Sequence, residues 1–201
     1  YHNTFLLEQA FFDLKGTELR QQQTNLQAIF SDLTTFTIVA TLKNACTAIS
    51  HRNLYHAEYK IPLLDAILQE AQSEVYQDNL VVQSYYHSYM ALVDSDNEIH
   101  FQTLKKLLLY QKVLLPSEEL KYVCLLAINY CIKRLNMGAE NYVQEVFDIY
   151  CYGLEHTIWM EKGHLSHSTF KNIATAALRL KAYDWTHQFI QNYGSELKAS
   201  H

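Results

Sequence analysis

Glycine and proline are scarce in this 201-residue chain, with five and two residues respectively. A many-stranded sandwich or barrel needs tight turns at short intervals, so this scarcity disfavours one. No two glycines lie closer than ten residues, which excludes a glycine-rich phosphate loop. Cysteine is sparse as well. Cys46, Cys124, Cys131 and Cys151 sit in apolar runs without C-x-x-C spacing, the setting of buried free thiols in a reducing, cytoplasmic compartment. Long hydrophobic runs are missing: the longest is Val123 to Ile128, far below the roughly 18 residues a membrane span needs. No basic stretch leads into an apolar one at the start. The chain opens on Tyr1, so it is expected to be part of a longer protein, and a removed leader is compatible with it.

Nor is there a surplus of positive charge. Sixteen basic and 21 acidic side chains give a net charge of −5, which argues against general nucleic-acid binding, where phosphates must be neutralised by Lys and Arg. The balance is uneven: residues 1–100 carry 5 basic and 12 acidic groups, and residues 101–201 carry 11 and 9. What the chain does have is apolar mass, 49% of residues, with 15 Tyr, 9 Phe and 2 Trp. That is enough for a sizeable core without metals or disulfides, and it excludes a disordered or collagen-like chain.

One pattern recurs along the sequence: an aromatic followed by side chains four, five and eight positions later. It reads Tyr59-Leu63-Leu64-Ile67, Tyr142-Val146-Phe147-Tyr150 and Trp185-Phe189-Ile190-Tyr193. A degenerate copy starts at Phe101, with Lys105 and Lys106 in the middle slots and Leu109 in the last. The starts at 59, 101, 142 and 185 are 42, 41 and 43 apart. Offsets of four, five and eight lie on one helical face, so each copy predicts an amphipathic helix.

A second helical pattern precedes each copy. These run from about Asp32 to Ile49, from Leu80 to Val93, from Tyr122 to Leu135 after Pro116-Ser117, and from Phe170 to Leu180 after the capping candidates Ser166 and Ser168. Short connections, such as Asp94-Ser95-Asp96-Asn97 and Asn136-Met137-Gly138, make each pair an antiparallel hairpin. Phe5-Leu6-Ala10-Phe11-Leu14, stopped by Lys15-Gly16, opens one more pair. The expectation is a single all-α domain over 1–201, with hairpins at approximately 3–31, 32–75, 79–113, 117–157 and 166–197. Such units bury their apolar faces by stacking, which makes an α-α solenoid.

The last pair resembles a tetratricopeptide-type hairpin, with Phe170, Ile173 and Ala174 on the first helix and Tyr183, Thr186 and Ile190 on the second. It departs from that family in its period near 42, in Tyr193 and in the lack of a closing proline. The Ala127–Ile132 run and the Phe170–Tyr193 stretch also resemble uncharacterised bacterial helical-repeat proteins, which implies no known activity. The tetratricopeptide-like resemblance implies that first helices line a concave groove where Asn, Lys and Arg hold an extended peptide.

Chemistry-bearing clusters are thin. His156, His164 and His167 lie near Glu155 and Glu161, but no H-E-x-x-H or Cys/His ligand spacing joins them, and His51 and His56 only flank a turn. Cys124 and Cys131 share a helical face with Leu and Ile, the place of inert thiols. Neither enzyme nor cofactor nor metal site is expected. Asn129 and Asn172 are 43 apart, one repeat step, and an amide can both donate to and accept from a peptide backbone. Lys171, Arg134 and Arg179 could add anion contacts, and of the adjacent Tyr85 and Tyr86 one, taken as Tyr86, is expected to face outward. The functional expectation is a non-enzymatic scaffold for a protein or extended peptide, with no nucleic-acid or membrane partner. A ligand- or peptide-sensing regulatory domain is the alternative, and a metal-dependent hydrolase the third.

Overall fold

The computed structural model describes residues 26–110, 115–161 and 163–194. The pattern Phe5-Leu6-Ala10-Phe11-Leu14 lies outside the described residues. Among these residues the fold is all-α, with eight helices and one two-stranded hairpin. The helices are α1 (Leu26–Tyr55), α2 (Leu64–Ala71), α3 (Leu80–Val93), α4 (Glu98–Leu109), α5 (Ser117–Asn136), α6 (Tyr142–Glu155), α7 (His167–Arg179) and α8 (Tyr183–Tyr193). Strands β1 (Met160–Glu161) and β2 (His164–Leu165) pair antiparallel between α6 and α7. No described helix is long and apolar enough to cross a membrane.

Local chemistry sets the helix starts. Asn79 and Asn97 cap α3 and α4, their side chains accepting from Val82 N at 3.1 Å and Ile99 N at 3.2 Å. Ser166 caps α7 by accepting from Thr169 N. At α5, Pro116 is the capping residue and Ser117 is already helical, while Glu118 and Glu119 favour the positive end of the helix dipole. Gly138, at φ 91°, turns the chain after α5 in a conformation that disfavours any side chain.

Each helix is fixed by its neighbours. α1 packs on α3 and α3 on α5; α2, α4, α6 and α8 pack on α1, α3, α5 and α7 respectively; and α2, α4 and α6 also touch α3, α5 and α7. Cys46, Ser88 and Cys131, spaced 42 and 43 residues apart on α1, α3 and α5, are all buried. These small side chains lie on the three helices that pack in series, α1 on α3 and α3 on α5. A core of rings joins the α3–α4 and α5–α6 hairpins: Phe101 stacks on Tyr130 at 4.7 Å, and Tyr142 closes the group at 5.7 and 5.8 Å. Phe147 meets Trp185 edge-on at 4.8 Å, linking α6 to α8. This pattern of contacts is compatible with a helical repeat.

The helix expected from about Asp32 starts at Leu26 instead and runs through the expected boundary between hairpins at 31 and 32. Two further features differ from the sequence expectation. Tyr59 does not start a helix: residues 56–61 are irregular, Leu63 adopts φ 60°, and α2 begins only at Leu64. Pro62 explains it, since the residue before a proline is steered out of the helical region, and a helix cannot be carried back through Ile61 to Tyr59. Tyr59 is accordingly exposed, whereas Phe101, the start of the degenerate copy, is fully buried. The second difference is at Lys105, which fills an expected apolar slot. Its ammonium pairs with Glu145 at 2.6 Å and Asp148 at 2.9 Å on α6, so a charge clamp stands where apolar packing was expected.

The segment after α6 is anchored by Trp159. Its indole N–H donates to Tyr150 O at 2.9 Å, and the ring lies directly over Gly153, where an added Cβ would fall 2.0 Å from Nε1. Glycine is therefore required at 153 by close approach.

Candidate functional site

The β-hairpin inserted between α6 and α7 leaves α7 lying against α6, and a cleft of about 160 Å³ opens among α5, α6 and α7. Val143, Val146 and Tyr150 of α6 form its apolar floor, Ile132 of α5 one wall, and Asn172 and Arg179 of α7 the other. Ile132 and the nearby Leu178 of α7 remain largely open to solvent. Large aliphatic side chains beside amide and guanidinium groups suit an occupant that offers an apolar side chain and backbone polar groups together.

Of the six residues singled out from sequence, the cleft brings two together. Asn172 is exposed on α7 and lines the cleft with Tyr150; burial raises the Tyr150 pKa, and the Asn172 amide partly opposes it. Arg179 bonds Glu140 at 2.7 Å at one end of the cleft. Asn129 and Lys171 are exposed on α5 and α7 but do not line it. Arg134 is occupied: it pairs with Glu98 at 3.2 Å and Asp96 at 3.5 Å, donates to Ser95 O, and lies 5.5 Å above the Tyr142 ring. Its role is to tie α5 to the turn before α4.

The expectation of an outward tyrosine at Tyr86 is corrected. Tyr85 and Tyr86 are both buried, because α3 is covered by α1, α2, α4 and α5 at once. Tyr86 meets the rings of His87 and His100 edge-on, whereas Tyr85, about 100° round the helix, donates its hydroxyl to Glu119.

That bond belongs to a polar group the sequence did not suggest. Glu119 of α5 also accepts from Lys43 of α1, whose ammonium lies 5.4 Å from the Tyr122 ring centroid, and the Tyr122 hydroxyl is 2.8 Å from Thr47 Oγ1. Burial opposes the Glu119 carboxylate, but Lys43 and the Tyr85 hydroxyl outweigh it and hold its pKa below the usual range. Burial, and then Glu119, push Tyr85 well above the usual phenol range. Every group in the cluster has a partner within it, so it clamps α1, α3 and α5. Residues 76 apart in sequence carry no local signal, and only the repeat step from Lys43 to Tyr85 hints at their proximity.

No protein-family model, curated protein or solved structure matches the chain. The site therefore stands on its geometry.

Among the described residues no group of three or more His, Cys, Asp or Glu side chains could hold a metal ion. His156 packs on the Tyr152 ring, His164 lies in β2, and His51 Nδ1 is 3.1 Å from the Tyr59 hydroxyl. The four cysteines are free, three of them buried. Burial pushes the Cys46 and Cys124 thiols up to about 12, and Cys151, which lines a second cavity with Trp185, Phe189 and Tyr193, up to about 11. At neutral pH these are thiols, not nucleophilic thiolates.

Proposed function

We propose that this chain is a non-enzymatic interaction module. Its hairpins form a tetratricopeptide-like solenoid, and the cleft among α5, α6 and α7 holds a short extended segment of a partner protein. The observation that carries the reading is the cleft itself: Val143 and Val146 make an apolar floor beside the exposed amide of Asn172 and the guanidinium of Arg179. An extended segment could seat one aliphatic side chain on that floor and exchange a backbone hydrogen bond with Asn172. Arg179, held by an exposed carboxylate, could release Glu140 for an acidic group of the partner at little cost, since exposed ion pairs contribute at most about 1 kcal/mol. Four free cysteines fit a cytoplasmic setting.

The test is photo-crosslinking from position 175, on the cleft wall, in extract of the native host, followed by synthesis of the trapped segment and calorimetric titration. Asn172→Ala with Ile132→Asp, both at exposed positions lining the cleft, is expected to weaken binding at least tenfold, and Asn129→Ala to leave it unchanged. Equal affinity of the cleft variant and the parent rejects the site.

A further inference from the structure

His87 on α3 and His100 on α4 face each other with Nδ1 atoms 2.9 Å apart. The ring centroids are 5.1 Å apart, which is that contact plus the two ring radii, so the nitrogens meet head-on rather than converging on a third point. Head-on nitrogens leave no room for a metal between them and require one proton on the line: one ring donates its Nδ1–H, and the other accepts with its lone pair. Tyr86 crosses both rings, at 5.1 and 5.9 Å, and covers part of each. We propose that His87 and His100 form an acid-sensitive latch that holds α3 against α4 while the pair carries one shared Nδ1 proton and opens when both Nδ1 atoms are protonated.

The surroundings favour the closed, neutral form. Burial, and then His100, lower the His87 pKa to about 4, and burial lowers that of His100 while Asp94, at the end of α3, works against it. The cavity beside His87 also presents Asp78, from the α2–α3 connection, and Lys106 of α4, charges of opposite sign. Of the charges that neighbouring helices bring to α3, Lys43 of α1 and Glu119 of α5 pair with each other beside Tyr85, and Arg52 of α1 and Asp65 of α2, opposite in sign, act at Tyr89. A first added proton can sit on an outer Nε2 and leave the shared bond intact; a second sets two N–H groups against each other at 2.9 Å. The pair therefore titrates as a unit. An unfolded imidazole takes up its proton near pH 6.5. With the folded pair below that value, the unfolded chain binds more protons, so the latch contributes fully above about pH 6.5 and is lost as pH falls toward 4.

Long-range proton–nitrogen NMR on the unmodified chain tests this without a variant. The result expected is that one of His87 and His100 is in the Nδ1–H tautomer at pH 7, and that both signals shift together well below pH 6. Two Nε2–H rings titrating independently near 6.5 overturn the proposal. A second arm compares urea midpoints at pH 7 and pH 5 for the parent and His87→Asn/His100→Asn, in which amides can keep a hydrogen bond but cannot take up a proton. The parent's midpoint is expected to drop more between the two pH values than the variant's. Equal drops contradict the latch.

Discussion

Phe101 provides the sharpest test of how the hairpins are held together. Its side chain is fully buried, stacked on Tyr130 and packed against Tyr142, so three helices of two hairpins depend on it. Truncation to alanine removes most of a phenyl ring from the core. Large aromatic truncations of this kind cost about 3–5 kcal/mol, of which roughly 0.5–1.5 is the ring pairing itself. Set against a typical total stability of about 5–15 kcal/mol, that is a large share. For a chain of this length it corresponds to a fall in Tm of roughly 6–20 °C. Phe101→Leu keeps most of the volume and is expected to cost about 1–2 kcal/mol. Tyr59→Ala is the internal control: it removes the aromatic of what looks in sequence like a fuller copy of the same motif, but the residue is exposed in an irregular segment, and the change should stay within about 0.5 kcal/mol. Urea unfolding followed by circular dichroism reads all three. The reasoning is refuted if Phe101→Ala costs no more than Tyr59→Ala.

Gly153→Ala places a methyl 2.0 Å from the Trp159 indole, so it should cost about 1–3 kcal/mol and alter the tryptophan emission spectrum; an unchanged spectrum and stability would show that Trp159 does not lie on Gly153. Lys105→Met strands Glu145 and Asp148 side by side on α6, and a loss of about 1–3 kcal/mol is expected, recovered in part by Glu145→Gln in the same chain. Glu119, whose pKa is held below the ordinary carboxylate range, contributes stability that is whole above the unfolded value and lost as pH falls through the folded one; Glu119→Gln should flatten the acid limb of the stability curve below about pH 4. Thiol titration with an aromatic disulfide should leave Cys46, Cys124 and Cys131 unreacted in the native chain and release all four thiols in urea, with half-buried Cys151 reacting first.

Much of the architecture is written in short-range pattern. The 3,4 spacing of apolar residues announces α3, α5 and α7, the proline at 116 and the serine at 166 mark the starts of α5 and α7, and steps of 42 and 43 residues relate the buried Cys46, Ser88 and Cys131. The pattern misleads where one residue overrides it. Pro62 cancels the helical start that Tyr59 suggests, and Lys105 breaks an apolar stripe only because two carboxylates wait on a helix 40 residues away. The site was harder to read. Asn172 and Arg179 could be named as exposed polar groups on a first helix, but their cleft is closed by Ile132 of α5 and Val143 and Val146 of α6, and no local pattern joins residues of three helices. Tyr86 shows the same limit: a position on a helix tells which residues share a face, not how many neighbours cover it. The Lys43–Glu119 and His87–His100 contacts join different helices, so they emerge only once the hairpins are assembled.

Consecutive hairpins pack side by side, and aromatic ring NOEs in the full chain measure that directly. Cross-peaks from Phe101 to Tyr130 and Tyr142, from Tyr85 to Tyr122, and from Phe147 to Trp185 are the expected result, since each joins a hairpin to the next. A spectrum in which those rings contact only residues of their own hairpin would contradict it.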